Sequence, residues 1–369
     1  MEIGEKVNSG SNGLRAILCN HIIMSDKEVH YGDYLRLEQI LGAQFPESAR
    51  IGELAHDEML FIVIHQTYEL WFRQILHEVE SVNTIMARPS LNDNSPELQT
   101  VVHRLSRVVT IVKVLVHQLD IMETMTPMDF LEFRDLLRPA SGFQSWQFKI
   151  IEARLGLTFE SRHGQEYYIS QLREAQVKMI REAENKETLF HLVSSWLERM
   201  PFFDEAANWE HYNPVYQSEI SDVHVFWNDY RQVYVNSLSN AEKGNAEAFD
   251  QVIFRVGVGQ LSMKACRAAL FIMLYRGYPI LELPFQLLNN LLEIDEQLST
   301  WRYRHMSMVH RTIGTRIGTG GSTGRDYLKG ALDKHYIFAE LARMTSFLIE
   351  RKKLPLLSHE MEKRLGFNV

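Results

Sequence analysis

"FIVIHQTYELWF", residues 61–72, decides how the rest of the chain is read. Its apolar side chains do not alternate as a half-buried strand requires. They recur at the i, i+3, i+4, i+7 spacing of a helix. At 100° per residue, Phe61, His65, Tyr68 and Phe72 fall within about 60° of one another, an aromatic face with one histidine on it. Glu58, Gln66, Glu69 and Arg73 form a narrow polar stripe beside that face, and the remaining circumference is apolar. A helix apolar over so much of its surface is buried. His65 stands where the aromatic face meets the polar stripe. It reads either as a core histidine satisfied by a neighbouring carboxylate or as a polar group aimed at something that fills a pocket.

Outward from this stretch, helical spacing recurs at about 54–87, 97–123, 141–155, 165–184, 187–199, 218–239, 245–275, 283–312 and 323–350. Only 10 prolines occur, so long stretches run uninterrupted. Pro46 ends any short helix before it, and Asp129 and Ser141 suit caps ahead of helical runs. No strand, internal repeat or low-complexity tract stands out. The expectation is an all-α bundle, a class that places ligand sites between facing helices. Residues 1–30 read as a flexible N-terminal segment and 31–369 as one helical domain. The stretch at about 156–245, richer in Glu, Asn and Gln, reads as a surface helical elaboration of it.

Composition narrows the function. Hydrophobic residues at 45% and charged residues at 23% of 369 positions supply a core without staples. A net charge of −8 argues against a nucleic-acid partner, which calls for a basic surface. Cys19 and Cys266 are far apart and in no CxxC context, which speaks against disulfides, a thiolate metal site or covalent haem attachment. No stretch reaches the roughly 18 apolar residues of a membrane span, and the polar start MEIGEKVNSG lacks a secretory layout. A soluble, cytoplasmic protein is expected.

Three further stretches carry possible chemistry. In "WRYRHMSMVHR" (301–311), Leu298, Trp301, His305, Met308 and Val309 share a face, so His305 looks inward while His310 is turned about 140° away. An inward histidine among bulky apolar residues suits an axial haem ligand, and equally a core position. "GTRIGTGGSTGRDY" (314–327) has five glycines whose backbone N–H groups could wrap an anionic or zwitterionic ligand. It lacks the order and the preceding strand of a dinucleotide fingerprint, and it also reads as a plain connector. In "DFLEFRDLLRPASGFQSWQFKIIE" (129–152), Arg134 sits among aromatics, suited to bidentate capture of a small carboxylate, or to a surface pair with Asp135 or Glu132. HExxH and the spacings of zinc or di-iron sites are absent.

In chain order these segments resemble the tryptophan 2,3-dioxygenase family. The resemblance is carried by "YGDYLRLEQILGAQ" (31–44), "HDEMLFIVIHQTYELWFRQIL" (56–76), "TPMDFLEFRDLLRPASGFQSWQF" (126–148), "WRYRHMSMVHR" and "GTGGSTGRDYL" (318–328), and it spans about 31–350. It implies an all-helical homotetramer with one haem b per subunit, ferrous when active. The implied reaction joins L-tryptophan and O2, cleaving the indole C2–C3 bond to N-formyl-L-kynurenine, the first step of the kynurenine pathway. His305 takes the position of the proximal iron ligand. His65 matches the distal histidine beside the indole N–H, and Phe61 and Phe130 match positions around the substrate. Arg134 matches the carboxylate-binding arginine, and Thr319 the threonine that holds the amino-acid end. Ser141 and Gly142 match residues lining the distal side of the haem, while Tyr31, Tyr34 and Leu35 match residues completing a neighbouring subunit's pocket. Trp146 and Thr323 depart from the family's pattern, and Phe130 stands where some members carry Tyr. A related haem monooxygenase acting on tryptophan or another aromatic amino acid is the alternative, and a helical sensor without turnover a third reading.

Overall fold

The computed structural model describes residues 28–163, 165–199, 206–216, 224–255, 257, 259–318, 329, 330, 332 and 334–366. All but three of the residues expected to form a loose N-terminal segment, 28–30, lie outside that set. The chain divides into two units, 1–44 and 45–369. In the first, α1 (Tyr31–Leu35) and α2 (Leu37–Leu41) are separated by Arg36 in the left-handed region, φ 56°.

The second unit begins with α3 (Glu47–Arg50), followed by α4 (Glu58–Met86) and α5 (Pro96–Met122). Next come α6 (Pro127–Phe133), α7 (Trp146–Leu155), α8 (Gln165–Ser170), α9 (Glu174–Glu184) and α10 (Leu189–Glu198). The remainder comprises α11 (Val225–Ser237), α12 (Asn245–Phe254), α13 (Met263–Leu274), α14 (Glu282–Ile313), α15 (Ala339–Arg343) and α16 (His359–Arg364). No strand occurs among the described residues. The fold is all-α, as its periodicity predicts.

α4, α5 and α14 pack together as the centre of this unit. Ile75, Val79, Val82 and Met86 of α4 are buried at helical spacing, and so are Leu287, Leu288, Leu291 and Ile294 of α14. α7 lies against α4 and α9, and α10 against α4 and α13. The stretch 156–245 contributes to the same interior, with Leu189, Val193 and Leu197 of α10 and Phe226, Trp227 and Tyr230 of α11 all buried.

Local chemistry sets the boundaries. Ser95 accepts from Leu98 N–H at 3.1 Å to open α5, with Pro96 at the first helical position. Thr126, not Asp129, caps α6; Asp129 is the reciprocal member of its capping box, accepting from Thr126 N–H at 2.8 Å. Ser141 caps a 3-10 turn at 142–144, so the helix expected from 141 begins at 146 under a second cap, Ser145. Gly156 ends α7 at φ +135°, where a Cβ would stand 2.5 Å from Phe190 Cβ.

Three expected helices are interrupted. The 165–184 run breaks at 171–173 and the 245–275 run at 255–262, where Glu340 accepts from Gln260 and Leu261 N–H at 2.7 and 2.8 Å. Of 323–350, the described residues 329, 330, 332 and 334 are helical, 335–338 are not, and α15 and a 3-10 turn at 344–347 follow. Glu58, the first member of the polar stripe, does not reach solvent. It is buried at the start of α4, accepting from the N–H groups of Glu47 (2.8 Å) and Ser48 (3.0 Å) and from Ser48 Oγ (2.5 Å). A carboxylate there also suits the positive end of the helix dipole.

Candidate active site

A cavity of about 290 Å³ opens in the second unit between α4, α7 and α14, with α6 and its following turns closing one side. Phe61, His65, Tyr68 and Phe72, the aromatic face of α4, all line it. So do Trp301, His305, Met308 and Val309 of α14, while His310 is exposed. Aromatic rings make up much of the wall. Phe61 packs on His65 with centroids 4.1 Å apart and on Phe130 at 5.7 Å; Phe148 meets Trp301 at 5.1 Å.

The two histidines are poised differently. His65 Nδ1 lies 2.7 Å from the carbonyl oxygen of Phe61, one turn earlier. A carbonyl only accepts, so Nδ1 carries the proton and the neutral ring presents Nε2 as an acceptor. His65 is open to the cavity, yet desolvation by the surrounding wall lowers its pKa from the ordinary value, opposed by the Phe61 bond and the charge of Glu69. Glu69 is itself held by Gln147 Nε2, which donates to its carboxylate at 2.8 Å and its carbonyl at 3.0 Å. The neighbouring carboxylate expected for His65 thus acts through its charge, and the direct bond goes to the backbone. His305 stacks nearly parallel on Trp301, 5.1 Å between centroids. Burial, with the nearby His65, pushes its pKa down to about 4, so the ring is neutral at pH 7. Its Nδ1 is buried without a hydrogen-bond partner.

Arg134 is buried, 5% exposed, at the junction of α6 and a 3-10 turn. Its Nη2 donates to the carbonyl of Ile317, and its Nε has no partner. Asp135 is engaged by Arg138 at 3.2 Å, so the surface pair considered for Arg134 does not form. A buried guanidinium with an unspent N–H at an apolar cavity is equipped for a carboxylate. Ser141 and Gly142 line the same cavity; a Cβ built on Gly142 would meet no atom within 4 Å.

The sequence-derived set therefore converges, with Phe61, His65, Phe130, Arg134, Ser141, Gly142 and His305 on one wall system. Thr319 lies outside the described residues, although the preceding Gly318 lines the cavity. Tyr31 and Tyr34 of α1 are 73% and 74% exposed, and Leu35 is half-buried. Trp146 is not part of the cavity wall. Sequence reasoning missed Lys149, Glu152, Arg162 and His335, which also line it. Lys149 and Glu152, three apart on α7, carried a weak local signal; the other two are brought in by the fold.

A haem iron fits these residues. It takes a neutral imidazole from one side, and His305 offers one, with an orphaned buried nitrogen, on an apolar and aromatic wall. No cluster of three or more His, Cys, Asp or Glu that could hold a bare metal ion occurs among the described residues.

The chain is similar to known proteins over most of its length. The sequence profile of the tryptophan 2,3-dioxygenase family matches residues 19–348. The chain is 42% identical over 355 residues to the tryptophan 2,3-dioxygenase of Bdellovibrio bacteriovorus, covering 92% of this chain and 98% of that protein. It is 41% identical to the tryptophan 2,3-dioxygenase of Alteromonas mediterranea, covering 92% and 97%. Identity is again 41% with that of Dictyostelium discoideum, covering 93% and 89%.

Proposed function

The chain belongs to the tryptophan 2,3-dioxygenase family, and from that premise we propose that its cavity holds haem b and L-tryptophan and cleaves the indole C2–C3 bond with O2. The product is N-formyl-L-kynurenine. L-tryptophan plus O2 has its composition, so no further oxidant or reductant is consumed. The observation that carries this reading is one cavity bearing a neutral inward histidine, a second histidine with a free acceptor and a buried guanidinium with one unspent N–H.

The haem, held by His305 and ferrous when active, supplies O2 binding and activation. The chain's own residues position the substrate. Indole is a flat apolar ring with one N–H, and the Phe61 and Phe130 faces accept the ring while His65 Nε2 accepts the N–H. Arg134 donates from Nε to the α-carboxylate. Thr319, with the Gly-rich segment, holds the amino-acid end. Ser141 and Gly142 border the oxygen side, where the absence of a side chain at Gly142 leaves room. Fixing the ring against the reacting atoms converts an encounter into a local event. His65 acts here as an orienting group.

We further read the protein as a cytoplasmic homotetramer in which Tyr31, Tyr34 and Leu35 complete a neighbour's site. The exposed aromatic pair on α1 supports this, and the buried free thiol of Cys266 suits a reducing compartment. No helix among the described residues is long and apolar enough to cross a membrane.

The test is to reduce the haem-loaded protein without oxygen, add L-tryptophan and then air, and weigh the product. Two added oxygen atoms support the dioxygenase. One added atom moves the chain to the monooxygenase reading, and no product at all removes the catalytic one.

A further inference from the structure

Part of the cavity wall that the proposed reaction does not use carries a surplus of positive charge. Lys149 and Glu152 of α7, Arg162, Arg302 of α14 and His335 all line the cavity, and each is more than nine-tenths buried. Glu152 Oε2 accepts from Arg162 Nη1 at 2.6 Å. Its Oε1 accepts from Arg302 Nη2 at 2.7 Å and from His335 Nδ1 at 3.3 Å. Burial opposes ionisation of Glu152, yet Arg162, His335 and Arg302 together hold its pKa well below the usual carboxylate range. His335 Nε2 accepts from the His163 N–H at 3.1 Å, so this ring donates only through Nδ1.

Glu152 is thus fully engaged and offsets one of three cations. Asp295, near Arg302, spends both oxygens on the N–H groups of Ile337 and Phe338. Even with Asp295 ionised, one positive charge is left over. The unspent donors can be named. Arg162 Nε is buried without a partner. Lys149 has no carboxylate partner among the described residues, its Nζ resting 5.1 Å from the Tyr168 ring centroid, beside the Arg162 guanidinium at 4.1 Å. Burial and the Arg162 charge press the Lys149 pKa down to about 8, with Glu152 opposing. An uncompensated buried cation is costly, and here the unspent donors line the cavity.

The residues beside this cluster describe what brings the missing charge. Phe148 precedes Lys149 and Trp301 precedes Arg302, and their rings, 5.1 Å apart, line the same cavity. Each helix therefore sets an aromatic next to a cation, the pattern for a flat apolar body with an acidic edge. We propose that Lys149 and Arg162, organised by Glu152, Arg302 and His335, form a carboxylate subsite that receives the propionate edge of the haem. The propionates accept from Lys149 Nζ and Arg162 Nε. This rests on the haem reading above and deepens it. The substrate carboxylate already has Arg134, on a different element.

The experiment compares hemin with hemin dimethyl ester, whose acidic edge is capped, by titrating the haem-free full chain and following the Soret band. Wild type is expected to bind hemin about 10- to 100-fold more tightly than the diester, the range for losing a bond to a charged group. Lys149→Met is expected to lose most of that preference while binding the diester as before, and Lys149→Arg to restore it. Equal wild-type affinity for both, with a histidine-ligated spectrum in each, overturns the subsite and leaves the haem reading standing. Should Lys149→Met instead weaken L-tryptophan binding with hemin affinity unchanged, the subsite serves the substrate and the assignment fails. A histidine-ligated band with neither compound removes the haem reading itself. If Lys149→Met does not fold, the wild-type comparison alone decides.

Discussion

His65 gives its Nδ1 proton to the Phe61 carbonyl at 2.7 Å and so keeps Nε2 free to accept. Protonation would turn that acceptor into a donor and expel an indole N–H. Because desolvation lowers the His65 pKa, the neutral ring persists below the ordinary histidine range. L-tryptophan affinity of the loaded protein is therefore expected to stay flat from pH 8 down through 6.5. A fall centred at or above 6.5, read by equilibrium titration, would refute this account of His65. Arg134 makes a second residue-scale prediction. Its guanidinium is buried with an unpaired Nε, so Arg134→Ala removes a charge-assisted contact and should weaken L-tryptophan binding about 10- to 100-fold. Hemin affinity should not move. An unchanged tryptophan affinity would mean that the carboxylate is held elsewhere.

Among elements, α4 shows what periodicity can and cannot foretell. Its bounds were expected at about 54–87 and are Glu58–Met86, and its aromatic face lines the cavity because four residues at 100° per step fix a face by arithmetic. α14 behaves likewise. The break at 255–262 was marked by Gly257, Gly259 and Ser262, which periodicity alone passed over, whereas the break at 171–173 has no glycine or proline to announce it. Helical spacing places Glu58 in the polar stripe but not its partners Glu47 and Ser48, which sit on another element. The same limit hid the Glu152 cluster, whose partners stand 10, 150 and 183 residues away in the chain. Local spacing carries no trace of such pairings. Since Glu58 holds three donors at the head of α4, Glu58→Gln is expected to cost about 1–3 kcal/mol, measured by urea unfolding. That loss should shrink in a Ser48→Ala background, and equal losses in both would disconnect Glu58 from Ser48.

At the scale of the molecule, the exposed Tyr31 and Tyr34 predict assembly. Light scattering is expected to give the mass of four chains, and Tyr31→Ser with Tyr34→Ser to raise the KM for L-tryptophan in the assembled enzyme. A monomeric wild type with full activity would sink the shared-site reading. The cavity itself has a wider consequence. α4 and α14 carry core and pocket on the same run of residues, Ile64 beside His65 and Leu298 one turn before Trp301. A lineage cannot relax one without disturbing the other, so drift on these helices is penalised twice. Among the described residues the turn at 142–144 is under less constraint: Gly142 lines the cavity and a Cβ there would meet no atom within 4 Å, so a side chain added at this point can reshape the pocket without touching the scaffold.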